Sequence, residues 1–412
     1  MTAIPRRRRF FVMALHVVAS RTDPALFRLP WSRPLAEWDD WYVVPLPLGL
    51  SRHVVRVVQV NRQFLAVKET TEELALREYE LLRDLQRLDQ PAVVPRGVVT
   101  GRTDLDGNPL PAALLTEHLH YSLPYRTVFQ HGLRAEQVPA LVDALVVLLV
   151  RLHLIGFFWG DVSLSNALFR RSAGGFAAFL VDAETGELRE SVSDAMREHD
   201  LTVGVENIFA ELLDLQASGD TDIDVDGRAV VAHLAEQYHS LWDELTAAEE
   251  FGTDEWSRVE QRIARLNDLG FDVDELDVQA DSDRVRIQPK VVEAGHHRRE
   301  LHDLTGLSVE DSQARKLLND LAAFTAHFGY DDEDRAVVAR RWLHTIYSPI
   351  VALLPDELAR RIAPAEYFHE VMEHRWALSD EAGHEVNIFD AARDYVANVL
   401  PHRPPDSPSD LR

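Results

Sequence analysis

The chain has 412 residues, 46% apolar and 27% charged, with 43 Lys and Arg against 68 Asp and Glu for a net charge of −25. The length allows two or three domains, and the composition is that of a soluble globular protein. Nucleic acid is not an expected partner, because phosphate binding draws on Lys and Arg. Cysteine is absent, which excludes disulfides, thiolate-ligated zinc, iron–sulfur clusters and thiol nucleophiles. No uninterrupted run of 18 apolar residues occurs, so no membrane span is expected.

In chain order, Arg6 to Arg9 precede an apolar stretch from Phe10 to Ala19, an outline shared by export signals. The stretch contains His16 and runs straight into Ser20-Arg21-Thr22-Asp23-Pro24. It reads as a buried first strand behind a basic arm, with Met13 as an alternative start. Residues 1–40 form an arm and an extended segment rich in Trp and Pro (Trp31, Trp38, Pro24, Pro30, Pro34). Val43–Leu50, Val54–Val60 and Phe64–Val67 are three β-rich runs, the pattern of an antiparallel meander. Thr71 to Leu88 carries Leu74, Leu81, Leu82, Leu85 and Leu88 at helical spacing. Further strands fall near Val93–Val99 and Ala112–Thr116, around a turn at Asp106-Gly107-Asn108. A long apolar helix spans about Glu136 to Leu154, followed by a loop over 156–166 and strands at Ala167–Arg171 and Phe176–Val181.

Beyond about Leu215 the composition changes. Residues 243–283 hold 14 acids against three bases, so a basic protein partner is a candidate for this part. A hairpin over 271–290, turning at Asp281-Ser282-Asp283, interrupts a mostly helical domain over 220–400. The Pro-rich tail over 401–412 is expected to be disordered.

Five positions carry chemistry in one order. Lys68 closes the third strand, and Glu78 falls on the apolar stripe 74, 78, 81, 82, 85 of the following helix. A carboxylate turned inward needs a cation, since an unpaired buried charge is costly; Lys68 is the nearest in sequence. Asp161 and Asn166 bracket a loop between an apolar helix and a hairpin, where a carboxylate can accept a proton and an amide oxygen can hold a metal. Asp182 follows the apolar strand Phe176–Val181. A weaker element is the Gly49-Leu50-Ser51 turn, with one glycine.

Together these resemble the protein-kinase-like fold over residues 40–210, and the Asp161-Val162-Ser163-Leu164-Ser165-Asn166 loop is most similar to RIO-type kinases, lipopolysaccharide-core sugar kinases and aminoglycoside phosphotransferases. The runs Phe157–Asp161, Leu168–Arg171 and Val181–Leu188, with Trp31–Trp38 and His374-Arg375-Trp376, also resemble a bacterial family of unknown function labelled lipopolysaccharide-kinase-like. The resemblance implies an α+β, bilobal kinase-like domain over 41–215, with an antiparallel N-lobe sheet and a helical C-lobe, followed by the helical domain over 220–400.

It further implies ATP and Mg²⁺ as cofactors. Lys68 would hold the α- and β-phosphates, and Glu78 would orient it. Asp161 would act as base; Asn166 and Asp182 would hold the metal. Gly49 and Ser51 would cover the phosphates, and backbone groups of Glu117 and Leu119 would meet the adenine. Glu184 is either a further metal ligand or a solvated loop acid. The reaction implied is transfer to a hydroxyl of a sugar, another small molecule or a protein serine, in the cytoplasm where ATP is available. The competing reading is a nucleotide-binding pseudokinase scaffold whose acidic C-terminal domain recruits a partner. Trp159 stands where the resemblance has histidine, which leaves open how the Asp161 loop is braced, and neither a G-x-G-x-x-G loop nor an Ala-Pro-Glu segment occurs.

Other candidates are thinner. Glu366-x-x-His369, with His374 on the same helix, has the spacing of a carboxylate-bridged metal site but lacks a second such motif. His296, His297 and His302 read as an exposed helix face, and Asp272–Val278 as a half-solvated strand rather than a calcium loop. No Gly-x-Ser-x-Gly elbow supports a Ser-His-Asp site.

Overall fold

The computed structural model describes residues 15–20, 23–39, 41–46, 52–61, 63–130, 133–219, 221, 223, 225–252, 261, 264, 266–267, 269–280 and 284–403. Gly49 and Ser51, and the hairpin turn at 281–283, lie outside them. In chain order come β1 (His16–Val18), β2 (Val43–Val44), β3 (Val55–Val60), β4 (Gln63–Thr70), α1 (Glu72–Arg87), β5 (Pro95–Thr100), β6 (Ala112–Glu117), β7 (Ser122–Pro124), α2 (Tyr125–Gln130) and α3 (Val138–Leu154). There follow β8 (Phe157–Phe158), β9 (Ala167–Ser172), β10 (Gly175–Leu180), β11 (Glu187–Leu188), α4 (Asp194–Ser218), α5 (Gly227–Thr246), β12 (Glu249–Gly252), β13 (Phe271–Ala280) and β14 (Arg284–Ala294). The remainder is α6 (His296–Thr305), α7 (Asp311–Phe328), α8 (Arg335–Trp342), α9 (Ser348–Val351), α10 (Pro364–Ala382) and α11 (Ile388–Asp394). The chain divides into two compact units, residues 1–119 with 180–187, and residues 120–179 with 188–412.

The first unit is built on a sheet ordered β1-β5-β6-β4-β3-β2, antiparallel at each recorded pairing. Side chains alternate across a strand, so Leu65 and Val67 of β4 enter one core while Ala66 and Lys68 face the other way. That first core includes Leu26, Trp31, Leu35 and Trp38. The Trp- and Pro-rich segment is therefore packed on the sheet, and one buried guanidinium pins it. Arg102 donates to the carbonyls of Trp31 (3.3 Å), Arg33 (2.6 Å) and Pro111 (2.9 Å) and to Glu69 Oε1 (2.7 Å). Helix α1 starts at Thr71, whose hydroxyl accepts from Leu74 N–H (3.3 Å), and buries Ala75, Glu78, Tyr79, Leu82 and Leu85 against β5 and β6.

In the second unit α3 is apolar nearly all round, the signature of a buried helix, and packs on α5. Among the described residues, the segment 135–154 is long and apolar enough to cross a membrane by length and composition. Asp143, Arg151 and His153 interrupt its apolar run. Here Leu141, Leu145, Leu148, Leu149 and Leu152 are buried in the protein's own core. Strands β12, β14 and β13 form a three-stranded antiparallel sheet, so Asp272–Val278 is a strand as expected. Helices α6 to α11 close a second core around Leu317, Trp342, Tyr367 and Phe368.

Two sequence expectations change. His297 is buried, not exposed, with Nδ1 3.0 Å from Asp311 Oδ2. Pro401 and Arg403, placed by sequence in a disordered tail, are held through their carbonyls by Arg361; residues 404–412 lie outside the described residues.

Candidate functional site

In the first unit the strand lysine, the helix glutamate and the acids after β10 meet. Lys68 Nζ lies 2.9 Å from Glu78 Oε2, 3.0 Å from Asp182 Oδ2 and 3.3 Å from Glu184 Oε2. The local causes are simple. Strand alternation turns Lys68 away from the tryptophan core, and helical spacing turns Glu78 inward, where it is 1% exposed. Ala183 N–H reaches Glu78 Oε1 (3.4 Å), and Glu184 N–H caps Asp182 Oδ1 (3.0 Å). Glu184 is buried, so it is no solvated loop acid; it also meets His53 Nε2 (2.8 Å) and Arg52 (3.4 Å).

Burial acts against both charges of the Lys68–Glu78 pair. It lowers the affinity of Lys68 for its proton, but Glu78 and Asp182 outweigh it and hold the ammonium above its usual pKa. Burial pushes the Glu78 carboxyl up to about 7, against the pull of Lys68 and with the repulsion of Asp182 adding to it. One oxygen from each of Glu78, Asp182 and Glu184 lies within 4.8 Å of the others. A donor set of carboxylate oxygens suits a hard divalent cation such as Mg²⁺, and three carboxylates against Lys68 and Arg52 leave negative charge for it to neutralise.

Glu117 closes β6 in the same unit. Its N–H donates to Val94 O (2.8 Å) and its carboxylate pairs with Arg96. Leu119 ends the first segment of this unit.

Asp161 and Asn166 belong to the second unit and meet there. Asn166 Nδ2 donates to the Asp161 carbonyl (2.9 Å) and to its Oδ2 (3.0 Å). The amide nitrogen is thereby committed, and the amide oxygen is what Asn166 has to offer a cation. Asp161 Oδ1 accepts from Asn207 Nδ2 (3.1 Å), which also donates to Val162 O (3.1 Å).

The loop is braced by a stripe of α4 that sequence reasoning missed. Asp200, fully buried, accepts from Trp159 N–H (2.8 Å), Gly160 N–H (2.7 Å) and His153 Nε2 (3.0 Å). A Cβ on Gly204 would stand 3.0 Å from Val162, so glycine lets the loop approach. Glu211 accepts from Leu164 N–H (2.8 Å) and Ser165 N–H (2.9 Å), and burial raises its pKa. Positions 200, 204, 207 and 211 recur at helical spacing, which was the available signal. They answer how the loop is held with Trp159 in place of histidine.

Glu366 and His369 make no metal site. Glu366, 4% exposed, accepts from Ala173 N–H (2.7 Å) at the β9–β10 turn, which Gln313 Oε1 also meets (2.9 Å). His369 Nε2 lies 3.1 Å from Lys316 Nζ and 3.1 Å from Glu373, while His374 turns to Asp394 (2.7 Å). The motif clasps the hairpin whose first strand begins immediately after Asn166.

The fold is α+β, with an antiparallel sheet in the N-terminal part and a helical C-terminal part. A family model described as a domain of unknown function (DUF4032) matches residues 240–400. No curated protein matches the chain. Among solved structures it is similar to WaaP in complex with acyl carrier protein, at 17% identity and a TM-score of 0.36, over 62% of this chain and 99% of that one.

Proposed function

We propose that the chain is an ATP- and Mg²⁺-dependent phosphotransferase that moves the γ-phosphoryl group to a hydroxyl of a sugar, another small molecule or a protein serine. The observation that carries this reading is Lys68 held at 2.9 to 3.3 Å by Glu78, Asp182 and Glu184. An ion-paired lysine beside acids able to share a divalent cation is the equipment that phosphate positioning needs.

In this reading Lys68 binds the α- and β-phosphates and Glu78 fixes its direction. Asp182 and Asn166 hold Mg²⁺, with Glu184 as a further ligand. Bound Mg²⁺ supplies neutralisation of the phosphate oxygens, which a cluster rich in carboxylates cannot give alone. Asp161 takes the proton of the acceptor hydroxyl as its oxygen bonds to the γ-phosphorus, the bond to the β-phosphate oxygen breaks and ADP leaves. Asn166 and Asn207 each donate to one Asp161 oxygen, so the carboxylate is oriented as a base.

The test is ATP turnover with Mg²⁺ by the purified protein beside Asp161→Asn and Asp182→Asn, followed by ³¹P NMR. Slow hydrolysis or autophosphorylation, lost in both variants, is expected. Tight ATP binding without turnover, even with cell extract added, would favour a nucleotide-binding scaffold. No nucleotide binding at all would sink the reading.

A further inference from the structure

The matched domain of unknown function contains a cavity of about 600 Å³ among α7, α8, α10 and α11, within the second unit and lined by neither the Lys68 cluster nor the Asp161 loop. Its wall includes the rings of Phe324, Trp342, Phe368 and Phe389. Trp342 and Phe368 are themselves buried core residues, packed edge to face at 6.0 Å, so this part of the wall is rigid. The size lies within the range of small-molecule sites, which bury most of a ligand against apolar walls with a few polar groups fixing its orientation.

The charges of the wall are unequal. Arg375 is committed to Glu385 and, through Nε, to Val386 O (2.8 Å). Asp320 is partly buried and forms no hydrogen bond or ion pair among the described residues. Lys316, one helical turn before it, is directed to His369 and Glu373. Burial pushes the Asp320 carboxyl up to about 6 although Lys316 pulls it down. Its oxygens still reach solvent, and it is the carboxylate of the wall without an ion pair among the described residues, since Glu385 is taken by Arg375.

We infer that this cavity is a binding site for a small organic cation, an amine or quaternary ammonium carried on an apolar or aromatic body, with Asp320 as counter-ion and the aromatic rings as its cage. A cation answers the one uncommitted carboxylate. Rings favour it through their negative faces, and the cavity's dimensions admit the attached apolar body. The site is independent of phosphoryl transfer and gives the C-terminal domain a ligand of its own.

Titration calorimetry on the full chain tests it with three probes: phenethylamine, benzyltrimethylammonium and the uncharged 2-phenylethanol. Both cations are expected to bind, with the alcohol about tenfold weaker or worse, and Asp320→Asn is expected to cost the cations about tenfold while leaving the alcohol unchanged. Phe324→Leu, which keeps apolar bulk without the ring, is expected to narrow the gap between cation and alcohol and guards against a folding defect in the first variant. Failure of both cations to bind would overturn the assignment. So would equal binding of all three probes, unchanged in Asp320→Asn, which marks an indifferent apolar hole. An acetyl-Gly-Lys-Gly amide peptide binding more tightly than phenethylamine would also overturn it, in favour of a lysine presented by a basic protein.

Discussion

Two buried clusters in this chain are organised around a lysine, and they differ in how charge is balanced. Around Lys68 the neighbours within reach are three carboxylates, two of them on one short stretch after β10. Around Lys316 the neighbours are His369 and Glu373, and the nearby Glu366 is satisfied by a backbone N–H. The second cluster is closed: its most buried acid has its donor, and its charged rim is open to water, with Lys316 38% and Glu373 62% exposed. The first sets three carboxylates against Lys68 and Arg52, with Lys68 13% and Glu184 9% exposed. Perturbed groups concentrate where chemistry is done, although ion-pair networks perturb them too. Uncommitted acids and enclosure together separate the first cluster from the second, which spends Glu366 on a backbone N–H and opens Lys316 and Glu373 to water.

Breaking this contrast starts with the largest expected effect. Lys68→Met should lower ATP turnover by about 10²–10³-fold, the scale for removing one positioned charge from a transition state; turnover within threefold of the parent would remove Lys68 from the chemistry. Glu366→Ala should act on stability instead. The partly buried Ala173 N–H keeps Gln313 Oε1 as acceptor, so losing Glu366 costs about 1 kcal/mol, read from urea unfolding, while the affinity of the folded protein for ATP stays within about twofold. A large loss of nucleotide affinity in this variant would erase the distinction between the clusters.

The smallest effect is a slope. Glu78 has its folded pKa raised to about 7 by burial, so between the ordinary carboxyl range and pH 7 the folded state holds a proton that the unfolded chain has lost. Stability linked to this group is therefore present below about pH 4.5 and is lost as pH rises through about 7. Glu78→Gln should flatten that part of a melting-temperature profile taken between pH 4.5 and 8. An unchanged profile would assign the slope to other groups.

Several features of the site are written locally. Strand alternation and helical spacing are properties of neighbouring residues, so the inward direction of Glu78 and its need for Lys68 follow from the stripe 74–85 before any packing is known. The turn-flanked pair Asp161 and Asn166 is close in sequence, and the structure joins them directly. The α4 stripe was also legible in its spacing, yet nothing local says that Asp200, Asn207 and Glu211 face a loop about forty residues earlier. His297 was misplaced for the same reason, because its partner Asp311 arrives from the next helix.

The sequence by itself determined the element types, the order of the chemistry-bearing residues and the net charge of −25, since periodicity and composition act over a few residues or over the whole chain. Tertiary structure alone decided that Glu184 joins Lys68, that Glu366 grips a hairpin turn instead of a metal, and that Asp320 lines a cavity without a donor. Each of these depends on which distant donor reaches a buried acceptor. That is settled by side-chain packing across elements far apart in the chain, where hydrogen bonds and desolvation are decided residue by residue.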